Sequence, residues 1–415
     1  MKILVINCGS SSVKYQLFEM PSQVVLASGM LERVGMDNGR LKHRFYSGER
    51  STEVIKDGLT VTHESGIALI AELLYDDDVG VLEAGHVPDA VGHRVVHGGE
   101  YFQQPALIDE AVIEAIRQTI PLAPLHNPAN LTGIEQTLAL FPKTPQVAVF
   151  DTAFHQTMPP HAYRYALPDS LYQEHAVRRY GFHGTSHSYV ARAAAEFLEK
   201  PLSSLNLITL HLGNGASVTA IENGRSIETS MGLTPVEGLI MGTRSGDLDP
   251  AVPGWLMENL NLSSQDVDAL LNKQSGLKGI CGSNDMRDIL ARRERGDASA
   301  TLAFEMFCHR LRKYIGAYYA VLGEVDGIVF TGGIGENAAA VRSESCAGLQ
   351  KMGIQVDSIK NQANGSGIQA IHHQDSGVAV LVVPTNEELE IARQVTVILN
   401  HCDIASMRLL DQESE

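Results

Sequence analysis

Two segments of the chain, about half its length apart, repeat one pattern of short apolar runs separated by turns. The runs that read as strands are residues 2–7, 13–18 and 24–30 in the first segment, and 205–210, 216–221 and 226 onward in the second. Gly9 stands in the first turn of one segment, and Gly213 stands in the first turn of the other, 204 positions later in a chain of 415 residues. This repeat predicts an internal duplication.

Alternating strand-like and helix-like stretches follow each segment. Further strands are predicted at 90–96, 146–150, 327–330 and 378–383, and helices at 109–120, 130–140 and 298–322. Thr385 and Glu388 have the spacing of a capping box, which predicts a last helix that begins there and runs to about Leu399. The alternation favours an α/β architecture, with a domain boundary near residue 150.

The chain carries an excess of acidic residues. Its 32 Lys and Arg against 49 Asp and Glu give a formal net charge of −17. Because nucleic acids and anionic membranes need a basic face, this balance excludes them as bulk partners, although it does not exclude small anions. The five cysteines are scattered and form no CxxC pair, and neither a signal peptide nor a membrane-spanning apolar run is evident. We therefore predict a cytoplasmic protein.

Three glycine- or serine-rich turns follow predicted strands, at 7–12, 211–215 and 332–337. Such turns expose consecutive backbone N–H groups, which suit phosphate oxygens. None of them matches the Walker A loop or the dinucleotide-binding fingerprint, and each taken alone is more often an ordinary turn. Because a nucleotide needs several anchor points, the three turns together favour nucleotide binding.

Arg94 and Arg244 both lie among glycines, in the segments GHRVVHGG and MGTRSGDLD. A guanidinium group in such a setting suits a carboxylate or phosphate ligand. The alternative is a structural ion pair, for which the two aspartates of the second segment are the obvious partners of Arg244. His126 and Asp151 lie at predicted loop or strand ends, where α/β folds form their sites.

Two histidine pairs, His93 with His97 and His183 with His187, have the i, i+4 spacing that invites a zinc interpretation. Neither pair has the glutamate of HExxH, and Gly184 disfavours a helix at the second pair. Zinc is therefore the minor alternative.

Nine segments, taken in chain order, resemble the motifs of the acetate kinase family, the acetokinases of the acetate and sugar kinase, Hsp70 and actin superfamily. They are NCGSSSVK (7–14), GHRVVHGG (92–99), PLHNPAN (124–130), FDTAFH (150–155), YGFHGTSH (180–187), MGLTPVEG (231–238), GTRSGDLDP (242–250), GGIGEN (332–337) and PTNEE (384–388). The resemblance covers nearly the whole chain, from residue 3 to about residue 395. It departs from the family pattern at Glu228, where an aspartate is usual, and at Lys278 and Cys281, where the family varies or has smaller residues.

The resemblance implies a fold of two duplicated actin-like (ribonuclease H-like) α/β domains with a nucleotide cleft between them. Residues 1–150 with the C-terminal helix 386–415 would form the first domain, and residues 151–385 the second. The family also implies ATP or ADP as co-substrate, Mg²⁺ or Mn²⁺ as the metal ion, and a homodimer.

The resemblance further assigns roles to site residues. Asn7 and Glu387 would position the metal ion. The implied nucleotide contacts are Ser10, Ser12 and Lys14 on the phosphates, His211, Leu212, Gly213, Asn214 and Gly215 in a second phosphate loop, and Asp285, Met286, Arg287, Gly333, Ile334, Gly335, Glu336 and Asn337 at the adenosine. Arg94 and Arg244 would bind the acyl carboxylate and the phosphoryl group. His183 would stabilise the transition state with help from His126, and Asp151 would orient metal-bound water or the histidines. The implied acyl pocket is Val96, Leu125, Phe182 and Pro235.

The implied reaction is reversible, direct in-line phosphoryl transfer from ATP to acetate, which gives acetyl phosphate and ADP. A carboxylate nucleophile is already ionised at pH 7, so it needs no general base, and positioning and charge neutralisation are the remaining tasks. Three alternatives stay open. A propionate kinase would share every motif, an actin- or Hsp70-like ATPase would act as a nucleotide-driven binding module, and a zinc hydrolase is the most distant.

Overall fold

The computed structural model describes residues 1–47, 50–83, 85–363 and 365–412, with the side chains of all of these except 47 and 402–412. Residues 413–415, at the end of the predicted segment 386–415, lie outside the described residues. The chain forms two compact units. The first comprises Met1–Ala153 and Asn386–Glu415, and the second comprises Phe154–Thr385.

The first unit is built on a mixed sheet with helices on both faces. Its strands are β1 (Lys2–Cys8), β2 (Ser12–Glu19), β3 (Val24–Glu32), β4 (Gly39–Ser47), β5 (Arg50–Leu59), β6 (Ala90–Val95), β7 (Ala106–Leu107) and β8 (Gln146–Phe150). Its first three helices are α1 (His63–Leu74), α2 (Glu110–Gln118) and α3 (Asn127–Leu140). The predicted strands and helices of this region are confirmed, whereas β4, β5, β7 and α1 were not predicted.

The strand order of this sheet is β5-β4-β3-β2-β1-β6-β8-β7. Each of the strands β1 to β5 pairs antiparallel with the next strand along the chain, whereas β1, β6 and β8 run parallel to one another. β1 lies inside the sheet, and its residues 3–6 are at most 1% exposed, which is why they form a continuous apolar run. Val91 packs in a core cluster with α1, so the next residue of β6, Gly92, faces the opposite side of the sheet.

The second unit is built on a smaller sheet. Its strands are β9 (Asn206–Leu212), β10 (Ala216–Glu222), β11 (Arg225–Thr229), β12 (Gly327–Thr331), β13 (Gln369–Ala370) and β14 (Ala379–Val382). Its helices are α4 (Pro160–Tyr163), α5 (Asp169–His175), α6 (Gly184–Phe197), α7 (Ala251–Leu260), α8 (Ser264–Ala269), α9 (Gly276–Cys281), α10 (Met286–Glu294), α11 (Ala298–Leu322), α12 (Gly332–Asn337), α13 (Ala339–Cys346) and α14 (Ser358–Gln362). Short 3₁₀ turns lie at Leu202–Ser204 and Gln350–Met352 in this unit, and a π turn lies at Leu270–Gln274. Two more 3₁₀ turns lie outside it or at its first residues, at Ile120–Leu122 in the first unit and at Ala153–Thr157.

The second sheet repeats the topology of six strands of the first sheet, β3-β2-β1-β6-β8-β7. Its order is β11-β10-β9-β12-β14-β13. An antiparallel meander, β9 to β11, is followed by the parallel strands β12 and β14, and the short β13 pairs antiparallel with β14 as β7 does with β8. The predicted α/β fold and its internal duplication are therefore confirmed.

The last helix, α15 (Glu387–Gln412), belongs to the first unit. Its residues Ile391 and Val395 pack against Gly92 of β6. The predicted capping box at Thr385 and Glu388 is wrong, because the residue before the helix is Asn386, whose Oδ1 accepts a hydrogen bond from Leu389 N over 3.0 Å. The helix also continues 13 residues beyond the predicted end at Leu399.

Two further expectations about local structure differ from what is observed. The glycine-rich segment Gly332–Asn337, predicted as a turn, is helix α12. Gly332 has a φ of +75°, and a Cβ on it would lie 2.8 Å from Leu212 O, so the sharp entry from β12 requires glycine. The helix that Gly184 was expected to disfavour begins at that glycine, where the first turn of a helix tolerates it. Within the described residues, no helix combines the length and apolarity that crossing a membrane requires.

Candidate active site

Six polar residues of the first unit, Asn7, Lys14, Arg94, Asp151, Glu387 and Glu388, form a group that we call the Arg94 cluster. Asn7 lies on β1, Arg94 lies on β6, and Asp151 follows β8 directly. Because β1, β6 and β8 are parallel neighbours, their carboxyl ends lie at one edge of the sheet, and these side chains meet there. The two glutamates come from the first turn of α15.

Arg94 is the centre of this cluster. Its Nη2 donates to Oδ2 of Asp151, which is 1% exposed, and its Nη1 donates to Asn7 Oδ1 over 3.3 Å. Desolvation acts to lower the pKa of Arg94, but the charges of Asp151 and Glu387 outweigh it, so the pKa is raised and the guanidinium stays charged. Its Nε has no hydrogen-bond partner within the described residues.

The cluster holds more acidic than basic groups. Desolvation raises the pKa of Glu387 to about 7, with Arg94 acting against it and Asp151 and Glu388 adding to it. Lys14 Nζ lies 2.7 Å from Glu388 Oε1, so Glu388 forms an ion pair and not the helix cap expected from the sequence. Three carboxylates thus face two cationic side chains.

The other predicted residues of the first unit lie in loops, except Ser12, which begins β2. Ser10 is exposed and Ser12 half-buried in the β1–β2 hairpin, which is closed by a 2.8 Å hydrogen bond from Gly9 N to Ser12 O. Val96 is buried, Leu125 is 56% exposed, and His126 is half-buried at the residue before α3.

Two asparagines that were not identified from the sequence form hydrogen bonds with the backbone at the end of β1 and in the loop that follows β6. Asn130 Oδ1 accepts from Val96 N over 3.0 Å, and its Nδ2 donates to Cys8 O over 2.7 Å. Asn127 makes a reciprocal pair of bonds with the backbone of His97. Both asparagines belong to the segment PLHNPAN. Two amide side chains close to a proline in this segment were the sequence signal that could have identified them.

In the second unit, His183, His211, Arg244 and Gly215 form a group that we call the His183 cluster. His183 precedes α6 with φ at 58°, a left-handed conformation that is uncommon for residues other than glycine. Its ring stacks on that of His211 with centroids 4.3 Å apart. A Cβ on Gly215 would lie 3.4 Å from both His183 Nε2 and Arg244 Nη1, so both groups border the backbone of this glycine.

Arg244 is held differently from Arg94. Its Nη1 donates to Pro235 O over 3.1 Å, and burial lowers its pKa. Within the described residues the structure records no carboxylate partner for it. The ion pair considered from the sequence is wrong for Asp247, which bonds with Gly238 N, Tyr314 and Arg310 instead.

Eight of the predicted nucleotide-binding residues surround one open pocket of 700 Å³ in the second unit. They are Gly213, Asn214, Asp285, Met286, Arg287, Gly333, Ile334 and Asn337, and Asn284 and Leu290 complete the lining with Ala338. Arg287 and Asp285 form an ion pair at the rim, with Nη2 and Oδ2 2.6 Å apart. The pocket joins three segments that lie far apart in sequence.

The remaining predicted residues of the second unit lie beside this pocket or behind it. Glu336 Oε1 accepts from Gly332 N over 3.0 Å and from Thr385 N over 3.2 Å, so this carboxylate closes the turn into α12. Gly335 and Leu212 are buried. Phe182 is 3% exposed, and its carbonyl oxygen lies 3.0 Å from His155 Nε2.

The departures from the family pattern lie in separate places. Glu228 pairs with Arg179, with Oε1 and Nε 3.5 Å apart, and burial raises the pKa of this glutamate. Arg179 also pairs with Glu237 at 2.6 Å and bonds the carbonyls of Thr229, Ser230 and Met231. Lys278 is exposed on α9. The longer Glu228 side chain therefore belongs to a structural network that supports the 229–238 segment.

The histidines considered for zinc have other partners. His93 Nε2 lies 2.8 Å from Gln146 Oε1, and His97 Nδ1 accepts from Gly99 N over 3.0 Å. His183 and His187 share the hydroxyl of Ser217. No group of three metal-binding side chains is found in the described part of the chain.

Comparison with known proteins identifies the relatives of this chain. The model of the acetokinase family matches residues 2–393. An acetate kinase of Syntrophobacter fumaroxidans is 53% identical over 409 residues, which are 98% of this chain and 98% of that protein. The crystal structure of Porphyromonas gingivalis acetate kinase is similar with a TM-score of 0.90 and 47% identity, over 96% of this chain and 99% of that one. A propionate kinase from Francisella tularensis has a TM-score of 0.86 and 42% identity, with 95% and 98% covered.

These similarities extend over nearly the whole chain, as the motifs predicted. They confirm the resemblance stated from the sequence and the assignment to enzymes, specifically to phosphotransferases. On sequence, topology and whole-chain similarity alike, the chain belongs to the acetokinase family.

Proposed function

We propose that this protein catalyses the reversible, Mg²⁺-dependent transfer of the γ-phosphoryl group of ATP to acetate, by direct in-line displacement. The observation that carries the proposal is the pocket of the second unit, where eight predicted nucleotide-binding residues lie together in a chain of the acetokinase family. Its volume of 700 Å³ lies within the range of small-molecule sites.

The reaction brings two anions together, and the two clusters offer the charges that this requires. Arg94, whose side chain is 20% exposed, would bind the acyl carboxylate through its guanidinium group. Arg244 and His183, which both border Gly215, would bind the phosphoryl group and stabilise the charge on its equatorial oxygens. The resemblance to the family assigns the contacts with the acyl group to Val96, Leu125, Phe182 and Pro235.

Asp151 is proposed as a positioning group and not as a base. It is buried, it accepts from Arg94, and a carboxylate substrate has no proton to remove at neutral pH. Its charge would hold the guanidinium in place through the transfer.

A magnesium ion fits the Arg94 cluster. Asn7 Oδ1 and the Glu387 carboxylate are oxygen donors, which Mg²⁺ prefers, and the cluster has three carboxylates against two cations. When bound, the ion would neutralise charge on the phosphate oxygens. Mn²⁺, which takes the same donors, is the alternative metal.

The test is to trap the acyl phosphate as a hydroxamate. We expect ATP- and Mg²⁺-dependent product from acetate, and ADP formation that depends on the acid. ATP hydrolysis at the same rate without any acid would instead indicate an Hsp70- or actin-like ATPase and would contradict the proposal. His183→Gln should remove most activity, and Ser226→Ala, a buried substitution elsewhere in the same unit, should not.

Propionate is the second candidate acceptor, because a propionate kinase is among the similar solved structures. One methylene changes binding in an apolar pocket by only about 1–3 kcal/mol. Comparing kcat/KM for acetate and propionate decides between them. A higher kcat/KM for propionate than for acetate would overturn the assignment to acetate.

We also propose a homodimer formed through α7. No residue of this helix is buried, and it exposes apolar side chains that a second copy would cover: Val252, Trp255, Met257 and Leu260. Trp255 is the single tryptophan of the chain and is 55% exposed. Dilution should therefore red-shift its fluorescence as the dimer dissociates, and Leu260→Glu should give a monomer in sedimentation experiments. An emission spectrum unchanged by Leu260→Glu would exclude this surface.

Two further expectations remain proposals. The two units would be the two domains expected from the sequence, 1–150 with 386–415 and 151–385. The protein would be cytoplasmic, since Cys8, Cys281, Cys308 and Cys346 are all free thiols and buried.

A further inference from the structure

One buried hydroxyl lies between two histidine rings in the second unit. Ser217 Oγ is 2.9 Å from His183 Nδ1 and 2.7 Å from His187 Nε2. His187 Nδ1 in turn lies 2.7 Å from Thr209 Oγ1. We call this series, His183, Ser217, His187 and Thr209, the Ser217 relay.

The elements of the fold place these groups in line. His187 follows His183 by one turn of α6, and its N–H donates to His183 O over 2.9 Å. Ser217 lies on β10 and Thr209 on the neighbouring β9. Ser217, His187 and Thr209 are all 0% exposed, so these hydrogen bonds are shielded from bulk solvent.

The number of protons restricts how the relay can be arranged. A serine hydroxyl has one hydrogen, so Ser217 donates to one imidazole and accepts from the other. Burial, together with the nearby His155 and His211, lowers the pKa of His187 well below its ordinary value, so this ring is neutral and has one N–H. Two arrangements satisfy these conditions. In one, each group donates to the next from His183 toward Thr209, and in the other each group donates from Thr209 toward His183.

Thr209 distinguishes the two directions. Among the residues that the structure describes, its Oγ1 makes a single hydrogen bond, the one to His187. If His187 donated to Thr209, the hydroxyl hydrogen of this buried threonine would have no acceptor, which is unfavourable. If Thr209 donates instead, His187 donates from Nε2 to Ser217, and Ser217 donates to His183 Nδ1. Every hydrogen of the relay is then used.

The favoured direction determines the state of His183. With Nδ1 accepting from Ser217, the ring hydrogen of neutral His183 is on Nε2. Nε2 is the nitrogen that borders Gly215, where Arg244 Nη1 also lies. His183 thus presents a hydrogen-bond donor on the same side as the guanidinium of Arg244.

We propose that Ser217 and His187 are positioning residues for phosphoryl transfer, which orient the ring of His183 and place its hydrogen on Nε2. The inference rests on the proposed function, in which that N–H stabilises the transferring phosphoryl group. The wrong tautomer of a catalytic histidine is known to be costly to turnover even where the geometry is kept.

The first test is Ser217→Ala. We expect kcat to fall about tenfold or more, as for other residues that orient a functional ligand, with KM for ATP changed less than about twofold. Ser217→Thr keeps the hydroxyl and should recover much of kcat. The matched control is Ser226→Ala, because Ser226 is also buried and bonds His155 Nδ1 at the same distance of 2.9 Å, but His155 has no proposed contact with substrate.

The second test reads the tautomer directly. Nitrogen NMR of ¹⁵N-histidine protein, with the His183 signal identified by its loss in His183→Gln, should show a protonated Nε2 and an accepting Nδ1. Ser217→Ala should convert this signal to a mixture of tautomers, and His187→Gln should weaken the same preference.

Two results would overturn the inference: wild-type kcat in Ser217→Ala, or a protonated Nδ1 on His183 in the wild-type protein. An equal loss of kcat in Ser226→Ala would show that Ser217 acts only through the general stability of the second unit, which would also contradict the inference. Absence of any acyl phosphate from the wild-type enzyme would instead refute the proposed function, while the NMR signals would still report on the relay.

Discussion

Nη2 of Arg94 donates a hydrogen bond to Oδ2 of Asp151, across the carboxyl ends of the neighbouring parallel strands β6 and β8. The aspartate is buried, and the arginine is its cationic neighbour. Arg94 therefore stabilises the first unit as well as offering a ligand site.

Arg94→Met should consequently lower both activity and stability. Removing one partner of a buried ion pair costs about 3–5 kcal/mol, because the remaining buried charge loses the attraction of that partner. Urea unfolding would measure this loss. The double variant Arg94→Met/Asp151→Asn should recover part of it, because the second change removes the buried negative charge as well. A double variant less stable than the single one would contradict this account.

Arg244→Met should behave differently, although the two arginines look equivalent in sequence. Burial lowers the pKa of Arg244, and the described residues include no carboxylate partner for it. We expect kcat to fall about 10²–10³-fold, as for loss of a group that stabilises transition-state charge. The free energy of unfolding should change by less than about 1 kcal/mol. A loss of stability as large as that of Arg94→Met would show that Arg244 has a structural partner.

Gly333 offers a test of the nucleotide pocket. A Cβ on this glycine would meet no atom within 4 Å, and the residue lines the pocket. Gly333→Val should raise KM for ATP about tenfold, equivalent to 1.4 kcal/mol of binding, by occupying ligand space. Gly316→Val is the matched control, since Gly316 on α11 also faces open space but lies outside the lining. Equal KM values for the two variants would place the nucleotide elsewhere.

His93 should make stability depend on pH. Burial lowers its pKa to about 4 from an ordinary 6.5, so the folded state holds the ring neutral. Above pH 6.5 neither state binds this proton and the full contribution to stability is present. Between pH 6.5 and 4 the unfolded chain binds the proton first, and about 3 kcal/mol is lost. His93→Asn should remove this component, so the difference in unfolding free energy between variant and wild type should shrink as the pH falls to 4. A constant difference would contradict the assignment.

Asn386 should contribute to stability as the N-cap of α15. Its Oδ1 accepts from Leu389 N, so Asn386→Ala should cost about 1 kcal/mol in denaturant unfolding, and Asn386→Ser should retain most of the stability. Glu388→Gln tests whether Glu388 takes part in capping α15. The substitution should weaken the contact with Lys14 but leave the start of the helix intact. Hydrogen exchange of the amides in the first turn of α15 would measure this.

Much of the fold could be predicted from the sequence because strand and helix periodicities are local. Helix α11 has the predicted bounds, and the repeated strand pattern that begins at residues 2 and 205 corresponds to two sheets that share a six-stranded topology. The hairpin of β4 and β5 was missed because β5 is largely exposed and lacks an apolar face. The capping residue of α15 was placed one position early, since Thr385 and Asn386 are both good caps and the choice depends on where the chain turns.

The amino-acid sequence by itself determined the α/β class, the duplication, the family and the residue types available for phosphoryl transfer, because each of these is carried by short motifs and their order. Only the tertiary structure decided which side chains these residues contact. It paired Arg94 with Asp151 but gave Arg244 only backbone and sulfur contacts, it turned Glu388 toward Lys14, and it set Ser217 between two histidines. These partners lie up to 374 positions apart in the chain, so their contacts follow from the packing of strands and helices and not from any spacing along the sequence.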